Sequence, residues 1–431
     1  MSKLSTLLPK NTLENRLLFL VFGVFFLFFI VQPPLYSPDT FSYLRADITR
    51  FPGYIIYLRG LRAIVGSSFD FVAVAGHLLM GFLAVVVILK NVSQLFRLSW
   101  LAKGLLLGVL LFPYFKPIEV ALNLTSEGLA YPLYLFLISC TIDFLFRDQS
   151  KKIVHIAILY LALVLTRGQF IIIGPIIGFL YALKLKKRIF KPKALFLVLT
   201  LFLLPILSSF ADKTYRYIFY GYFKTTPYSY VNVVALPLYV SEATDGKIFE
   251  IKDIKAVYDH SHQKLDSLNL LSTEVQGSYK EKYMRFHYNF PKICNQNIHD
   301  FGLTYYTSQG FTPPKNAFAI EDACKTMTPK LIQAHFTEFL ALYYTSIVHG
   351  FKSVFILFFV IALSILSLVR VLKRFGLNGA FVLMATLFII SNAMIVAIAS
   401  HSIMRYLFYN YFLGLLILII LLKKFISRHE S

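Results

Sequence analysis

A single carboxylate, Asp39, stands directly after the first long apolar run of the chain, within residues 37–44. A charged side chain at the rim of a membrane helix is costly unless it has a partner or a chemical role. Ser37 as an N-cap, Pro38 at the first helical position and an acid in the first turn also describe an ordinary helix start. This segment alone therefore leaves both catalysis and helix initiation open.

Further polar residues fall at the ends of other apolar segments, on what the charge distribution predicts to be the same side of a membrane. Each has an ordinary explanation, because Arg can extend its charge to the membrane surface and Glu can cap a helix. Together, a carboxylate that removes a hydroxyl proton and guanidinium groups that bind phosphate oxygens suit group transfer from a lipid phosphate. The set comprises Asp39, Arg45, Arg50, Glu119, Asn123, Glu127, Arg167, Gln169, His401 and Arg405.

The composition indicates a polytopic membrane protein. Hydrophobic residues make up 57% of the 431 residues, charged residues make up 15%, and the mean hydropathy is +0.65. Soluble domains are far less apolar. The formal net charge of +21 would suggest nucleic acid as the partner of a soluble protein, but here the basic residues flank apolar segments. We therefore expect no nucleic-acid partner.

Ten apolar segments predict about ten membrane-spanning helices in an all-α protein. Residues 153–183 are assigned two of them, broken at Arg167, because basic residues lie at both ends of this stretch. The amphipathic piece from Phe51 to Arg62 is expected to lie in the membrane interface without crossing. The predicted spans are 17–31, 70–89, 101–114, 128–146, two within 153–183, 194–210, 353–369, 380–398 and 406–422.

The distribution of Lys and Arg predicts the orientation of the chain. Of the 43 such residues, 21 lie in the six segments assigned to the cytoplasmic side, Lys3 and Lys10 among them. The four short segments assigned to the outer side hold 7, and one long hydrophilic region holds the other 15. Short basic loops stay in the cytoplasm. We therefore expect both termini inside and the long region outside the inner membrane of a bacterium.

The chain is expected to fold as three consecutive parts. Helices are predicted in the middle part at about 253–290 and 328–350. The same part contains Cys294 and Cys324, which would allow one disulfide in an oxidising compartment. The three parts are an N-terminal transmembrane module at 1–210 with its first outer loop at 32–69, a mainly helical extracytoplasmic domain at 211–352, and a C-terminal transmembrane module at 353–431.

The motifs and their order resemble the GT-C superfamily of membrane glycosyltransferases, which take a sugar from a polyprenyl-phosphate carrier on the outer side of the membrane. In that superfamily the catalytic Asp lies just after the first helix, where Asp39 stands. The resemblance covers the first six spans and the last one, and does not extend to 211–352. The similar segments are SPDTFSYL at 37–44, RFPGY at 50–54, TSEGL at 125–129, LTRG at 165–168 and HSIMRY at 401–406.

The resemblance implies a role for each candidate residue. Asp39 would be the general base of a single, inverting displacement. Glu127 and Glu119 would position the acceptor or bind a divalent cation. Metal dependence stays open, because Asp39 stands alone where many members have an adjacent pair of acids or Asp-x-Asp. The donor phosphate would be bound by Arg167, Arg405, His401 and Arg50.

The expected function is transfer of a sugar from a polyprenyl-phosphate-linked donor to a hydroxyl of a glycan, a lipid or a protein, in cell-envelope glycan synthesis or modification. Two alternatives are weighed against it. A polysaccharide polymerase or ligase that uses a polyprenyl-diphosphate-linked glycan would rely on similar outer Arg and His residues. A transporter or flippase is less favoured, because the helix centres hold almost no ionisable groups and no pair of broken helices marks a midplane site.

Overall fold

The computed structural model describes residues 13–429, so the predicted flanking residues Lys3 and Lys10 lie outside the described residues. Within this range the chain consists of helices, turns and loops, and its only β-type pairing is an isolated bridge between Leu35 and Asn123. The prediction of an all-α protein is therefore confirmed for residues 13–429.

Twenty α-helices occur within the described residues, and a π-helical segment, Cys294–His299, joins the thirteenth to the fourteenth. The α-helices are α1 (Leu13–Ile30), α2 (Pro38–Leu44), α3 (Pro52–Val65), α4 (Phe69–Phe96), α5 (Trp100–Leu111), α6 (Ser126–Phe146), α7 (Lys152–Thr166), α8 (Ile173–Leu185), α9 (Pro192–Tyr220), α10 (Ser229–Val233), α11 (Ala235–Tyr239), α12 (Lys252–Ser267), α13 (Tyr279–Ile293), α14 (Asp300–Ser308), α15 (Lys315–Ala334), α16 (Phe336–Phe351), α17 (Val354–Lys373), α18 (Leu377–Ala399), α19 (Met404–Leu407) and α20 (Tyr411–His429).

Eight helical segments between residues 13 and 429 are long and apolar enough to cross a membrane. All ten predicted spans coincide with helices, but α7 and the segment Trp100–Tyr114 are shorter than the other eight. At 1.5 Å per residue these two reach only about 22 Å, against a hydrocarbon core of about 30 Å. The chain is therefore a multi-pass helical membrane protein, and the count of ten spans stays a prediction. The eight segments are Leu13–Ile30, Pro52–Phe96, Ser126–Phe146, Gly168–Phe190, Pro192–Tyr220, Val354–Lys373, Leu377–Ala399 and Met404–Lys423.

The amphipathic helix predicted after the first span is present as α3. It begins at Pro52, in the position that suits proline, and ends at Val65, because the next residue, Gly66, has a φ of +63° that breaks the helix before α4. Its buried side chains include Tyr54, Ile55 and Leu58, and the helix packs on α4 and α7. One face of α3 is thus part of the protein core, while its position at a membrane surface stays a prediction.

The chain divides into two compact units. Both are discontinuous in sequence, whereas the three parts predicted above are consecutive. Their boundaries at 211/212, 362/363 and 389/390 fall inside α9, α17 and α18. Unit 1 comprises Met1–Ala211, Leu363–Ile389 and Phe408–Ser431, and unit 2 comprises Asp212–Ala362 and Ile390–Leu407.

The core of unit 1 is organised around α6, which packs against α4, α7 and α8. Most of the side chains of α6 are buried, as expected for a helix that is apolar on all sides. Asn91 of α4 donates hydrogen bonds to the hydroxyl of Ser139 at 2.7 Å and to its carbonyl at 3.0 Å. Tyr134 donates to the side chain of Asn410. These bonds satisfy polar groups that would otherwise be costly inside an apolar core.

Unit 2 contains a helical core built from α10 to α16 around fully buried Tyr239, Tyr258 and Tyr283. The helices predicted near 253–290 and 328–350 are confirmed as α12, α13, α15 and α16. Cys294 and Cys324 are buried free thiols in this core. The disulfide that the sequence would allow is therefore absent between these two described residues.

Candidate functional site

Two segments of unit 1 are held side by side just before α2 and α6 begin. The N–H of Leu35 donates to the carbonyl of Leu122 at 2.9 Å, and the N–H of Leu124 donates to the carbonyl of Leu35 at 3.1 Å. The ring of His77 on α4 bonds the carbonyl of Ala121 through Nδ1 at 3.0 Å. These bonds fix the start of α2 next to the start of α6, although the two are far apart in sequence.

The start of α2 has the capping signals that its sequence predicts. The N–H of Ser37 donates to the hydroxyl of Thr40 at 3.0 Å, and Pro38 occupies the first helical turn. Asp39 also lies in that turn, where a negative charge is favoured. The helix-start interpretation is therefore confirmed. It does not account for the carboxylate of Asp39, because that group contacts Arg50.

Asp39 and Arg50 form an ion pair. The distance from Nη2 of Arg50 to Oδ1 of Asp39 is 2.7 Å, and the exposed fractions of the two side chains are 32% for Arg50 and 28% for Asp39. Nε of Arg50 donates to the hydroxyl of Ser42 at 2.8 Å, and its guanidinium lies 5.4 Å from the ring centroid of Tyr43. The base predicted for catalysis is thus held by a guanidinium but remains accessible.

A second ion pair joins the start of α6 to the end of α7. Nη1 of Arg167 lies 2.7 Å from Oε1 of Glu127, and the two side chains are only 12% and 2% exposed. The same Nη1 donates to the hydroxyl of Ser126 at 3.0 Å, and Nε donates to Gln169 at 3.3 Å. Because Glu127 is buried, its charge depends on Arg167 for compensation.

Tyr43 on α2 interacts with both ion pairs. Its side chain is buried, and burial raises the pKa of its hydroxyl; Arg50 lowers that pKa, Glu127 raises it, and Ser126 and Arg167 lower it. Charges act in this way only over short distances inside a protein. The two pairs therefore belong to one group in unit 1. We call Asp39, Arg50, Glu127, Arg167 and Tyr43 the acid–Arg cluster.

A close approach of two helices sets the position of Arg167. A Cβ on Gly53 of α3 would lie 2.5 Å from the hydroxyl oxygen of Thr166 and 2.9 Å from the carbonyl oxygen of Leu165. Real Cβ atoms essentially never come so close to other atoms. Glycine at position 53 thus lets α3 contact the last turn of α7, directly before Arg167.

Glu119 lies in the turn between α5 and α6, where its φ is +49°. Its carbonyl accepts a hydrogen bond from the side chain of Asn123 at 3.2 Å, and its N–H donates to the carbonyl of Phe115 at 3.1 Å. The backbone of Glu119 therefore shapes the segment that leads into α6. The acceptor-binding or cation-binding role of its side chain stays a prediction.

His401 and Arg405 belong to unit 2. Nδ1 of His401 donates to the carbonyl of His287 at 3.0 Å, and the ring stacks on Phe290 with centroids 4.7 Å apart. Burial, with the nearby His287 and His349, lowers the pKa of His401 to about 4. A neutral His401 in this tautomer presents Nε2 as an acceptor, so it would bind phosphate only after taking up a second proton. Closeness of His401 and Arg405 to the acid–Arg cluster stays a prediction.

No group of three or more His, Cys, Asp or Glu side chains within residues 13–429 has the arrangement of a metal site. Glu127 and Asp39 are each occupied by a guanidinium, which is the partner that a carboxylate without a bound cation commonly takes. A role for a divalent cation stays a prediction.

Tyr43, a member of the acid–Arg cluster, and Ser126, which contacts it, were not among the predicted site residues, although each has a sequence signal. Tyr43 lies four residues after Asp39, a spacing that puts both side chains on one face of a helix. Ser126 directly precedes Glu127 and starts α6. The local sequence at neither position predicts an interaction with Arg167, because that interaction depends on how α6 and α7 pack.

The comparison with known proteins found no relative of this chain. Neither a family model, nor a curated protein, nor a solved structure matches the chain. The resemblance to the GT-C superfamily therefore rests on the sequence motifs alone and stays a prediction.

Proposed function

We propose that the protein is a GT-C-like membrane glycosyltransferase. It moves a sugar from a polyprenyl-phosphate-linked donor to a hydroxyl of a glycan, lipid or protein acceptor, on the extracytoplasmic side of a bacterial inner membrane. The proposal includes ten spans, both termini in the cytoplasm and residues 211–352 outside. The observation that supports it most is the acid–Arg cluster, which combines an accessible carboxylate with two guanidinium groups in one part of unit 1.

The proposed reaction is a single displacement at the anomeric carbon. Asp39 takes the proton of the acceptor hydroxyl, and the acceptor oxygen forms a bond to the anomeric carbon. The bond from that carbon to the phosphate oxygen breaks, and the lipid phosphate leaves with the electron pair. Because attack and departure occur on opposite faces, the configuration of the donor inverts.

Arg50 is suited to act on both the base, Asp39, and the leaving phosphate. Its contacts with Asp39 and Ser42 use Nη2 and Nε, and a guanidinium has five N–H donors in a fixed fork. In the proposal Arg50 orients the base and also stabilises the negative charge that develops on the leaving phosphate. A contribution of Arg405 and His401 to phosphate binding rests on the sequence resemblance alone, and His401 would first have to take up a second proton.

Arg167 and Glu127 have a different part in the proposal. Arg167 already contacts Glu127, Ser126 and Gln169, so its position is set before any substrate arrives. A preorganised cation of this kind stabilises a leaving phosphate without a further rearrangement. Glu127 holds Arg167 in place. The proposed contact of Glu127 with the acceptor or a cation depends on the ion pair between Glu127 and Arg167.

The proposal is tested by mass spectrometry of the lipids that copurify with the protein in mild detergent. In Asp39→Asn the bound donor is not consumed, so we expect glycosylated polyprenyl phosphate to be enriched over wild type. Transfer should fall by about 10²- to 10⁴-fold. Asp47→Asn is the matched control: it removes the same charge from the same loop, where the carboxylate of Asp47 accepts bonds from the N–H and the hydroxyl of Thr49.

The identity of the copurified lipid distinguishes the candidate functions. Only bulk phospholipid in all three samples would overturn the proposal and favour a transporter. A polyprenyl-diphosphate-linked glycan would instead identify a polymerase or ligase. Full transfer activity in Asp39→Asn would show that Asp39 is not the base.

A further inference from the structure

Unit 2 has two surface hollows that meet at Arg285 on α13. One has a volume of about 310 Å³ and the other about 490 Å³, and Arg285 lines both. The exposed face of α13 presents Arg285, Tyr288, Asn289 and Lys292 at spacings of three and four residues, which brings them onto one side of a helix. This face is separate in sequence from the acid–Arg cluster.

The smaller hollow is strongly basic. Lys264 of α12 lines it together with Arg285 and Lys292, and none of the described residues that line it is acidic. Asn289 and Gln296 add amide groups to its wall. Three like charges around one hollow repel one another, so an arrangement of this kind favours an anion between them.

The cations of this hollow are bonded to neutral groups. Nζ of Lys264 donates to the carbonyl of Gln296 at 2.5 Å, and Nη2 of Arg285 donates to the carbonyl of Asn269 at 3.0 Å. Other lysines of unit 2 contact carboxylates, as Lys255 does with Asp259 at 2.6 Å. The backbone carbonyls orient Lys264 and Arg285 without neutralising their charge.

The larger hollow adds an aromatic surface beside the same arginine. Tyr288 lines it and is 74% exposed. Ser278 and Lys280 lie in its wall, and Glu281 accepts hydrogen bonds from the N–H of Ser278 at 2.7 Å and from its hydroxyl at 3.0 Å. An exposed ring next to hydroxyl, amine and carboxylate groups offers both an apolar face and polar partners.

We propose that this face of unit 2 binds a saccharide that carries a carboxylate or a phosphate. The anionic group lies in the smaller hollow between Lys264, Arg285 and Lys292, where the guanidinium binds two of its oxygens at once. The sugar ring lies against Tyr288 in the larger hollow. The proposal goes beyond the proposed function and does not depend on it, because it concerns binding by unit 2 and not transfer.

The test measures binding to the full-length protein in mild detergent at low ionic strength. The probes are glucuronic acid, glucose 6-phosphate, glucose and inorganic phosphate, followed by ligand-observed NMR or calorimetry. We expect both acidic sugars to bind more tightly than glucose and than inorganic phosphate, and their affinity to fall as salt is added. Transfer activity is not needed for this readout, so it can succeed or fail independently of the proposed function.

Variants assign the binding to the two hollows. Arg285→Ala and, separately, Lys292→Ala should each weaken binding of the acidic sugars by about tenfold or more. Tyr288→Ala should remove the preference for glucose 6-phosphate over inorganic phosphate. Lys255→Ala is the matched control, because it removes a lysine from α12 that lines neither hollow.

Two results would overturn the proposal. One is unchanged affinity for the acidic sugars in both Arg285→Ala and Lys292→Ala. The other is equal affinity of the wild-type protein for glucose 6-phosphate and inorganic phosphate, which would show an anion site without saccharide recognition.

Discussion

Glu127 carries its charge inside unit 1 with a side chain only 2% exposed, 2.7 Å from the guanidinium of Arg167. Asp39 has a similar distance to Arg50, but both of those side chains are about one-third exposed. Removing one partner of a buried pair leaves an uncompensated charge, whereas an exposed carboxylate can be solvated. The two pairs should therefore respond differently to substitution, with Glu127 important for stability and Asp39 for reactivity.

Glu127→Gln tests the buried pair. It removes the carboxylate but keeps the shape of the side chain, so Arg167 is left without its negative partner. We expect the free energy of unfolding to fall by about 3–5 kcal/mol, measured by thermal unfolding of the protein in detergent. The control is Asp259→Asn in the pair with Lys255, which is about half exposed on each side and should change stability by less than about 1 kcal/mol. Equal shifts for the two variants would contradict this account.

The contact of α3 with the end of α7 determines how these two helices pack. Gly53 lets α3 lie against Thr166, and the two helices α3 and α7 pack against each other. A side chain at position 53 has to displace the backbone of Leu165, which cannot move like the end of a flexible side chain. Arg167 follows two residues later, so the packing of α3 controls a charged group that it does not touch.

Gly53→Ala should destabilise the protein by about 1–3 kcal/mol through overpacking and should lower activity by moving Arg167. Gly60→Ala is the matched control on the same helix, since a Cβ there meets no atom within 4 Å. It should be neutral or stabilising by about 0.5–1 kcal/mol, because alanine favours a helix more than glycine does. Thermal unfolding of both variants decides the matter, and a neutral Gly53→Ala would show that α7 yields easily.

In unit 2, a cluster of histidines lies where residues 400–403 pack on α13 and α16. The ring centroid of His287 is 4.7 Å from that of His401 and 4.8 Å from that of His349. The hydroxyl of Tyr283 accepts a hydrogen bond from the N–H of Ser402 at 3.0 Å. Protonation of any of these rings adds a positive charge to a crowded site.

This cluster predicts a loss of stability in mild acid. Burial lowers the pKa of His349 and His401 to about 4, helped by Lys352 at His349 and by His287 at both, and burial also lowers the pKa of His287. At His349 and His401 the unfolded chain takes up protons near pH 6.5 and the folded protein only near pH 4. Stability should therefore be complete above pH 6.5 and fall progressively towards pH 4.

Thermal unfolding across this pH range checks the prediction. The melting temperature should drop between pH 6.5 and about 4, and His349→Gln should make the drop smaller because one ionisable ring is removed. Gly60→Ala, which removes no ionisable group, serves as the control and should keep the wild-type profile. A flat profile for the wild-type protein would refute the role of the cluster.

At the scale of the whole molecule, the membrane orientation is predicted from the basic residues. The stretch from Lys184 to Lys193 contains six Lys and Arg residues, and such a stretch is retained in the cytoplasm. We therefore expect residues 211–352 on the opposite side, since α9 is one of the segments long enough to cross. The proposed donor chemistry depends on this orientation.

Cysteine labelling in intact cells tests it. Ser308→Cys, at an exposed position of unit 2, should react with a membrane-impermeant maleimide, whereas Lys187→Cys should react only after the cells are permeabilised. The wild-type protein sets the background, because two of its three thiols are buried and the third is partly buried. The reverse labelling pattern would invert the orientation and remove the basis for an extracytoplasmic reaction.

The amino-acid sequence by itself determined the membrane class and the helical elements. Long apolar runs predict helices directly, because backbone groups in hydrocarbon must bond within their own segment. The start of α2 was also predicted from local sequence, because Ser37 suits an N-cap and Pro38 suits the first helical position. The sequence did not determine whether α5 and α7 cross the membrane, since their apolar stretches are shorter than a full crossing.

Only the tertiary structure decided which charged groups meet. Asp39 and Arg50 are 11 residues apart, and Arg167 lies 41 residues from Ser126. The candidates Asp39, Arg50, Glu127 and Arg167 were all identified from sequence, but their pairing and the place of Tyr43 between them were not. Such contacts depend on how α3, α6 and α7 pack, and packing follows from close complementarity of side chains distant in sequence, which residue types and spacing do not encode locally.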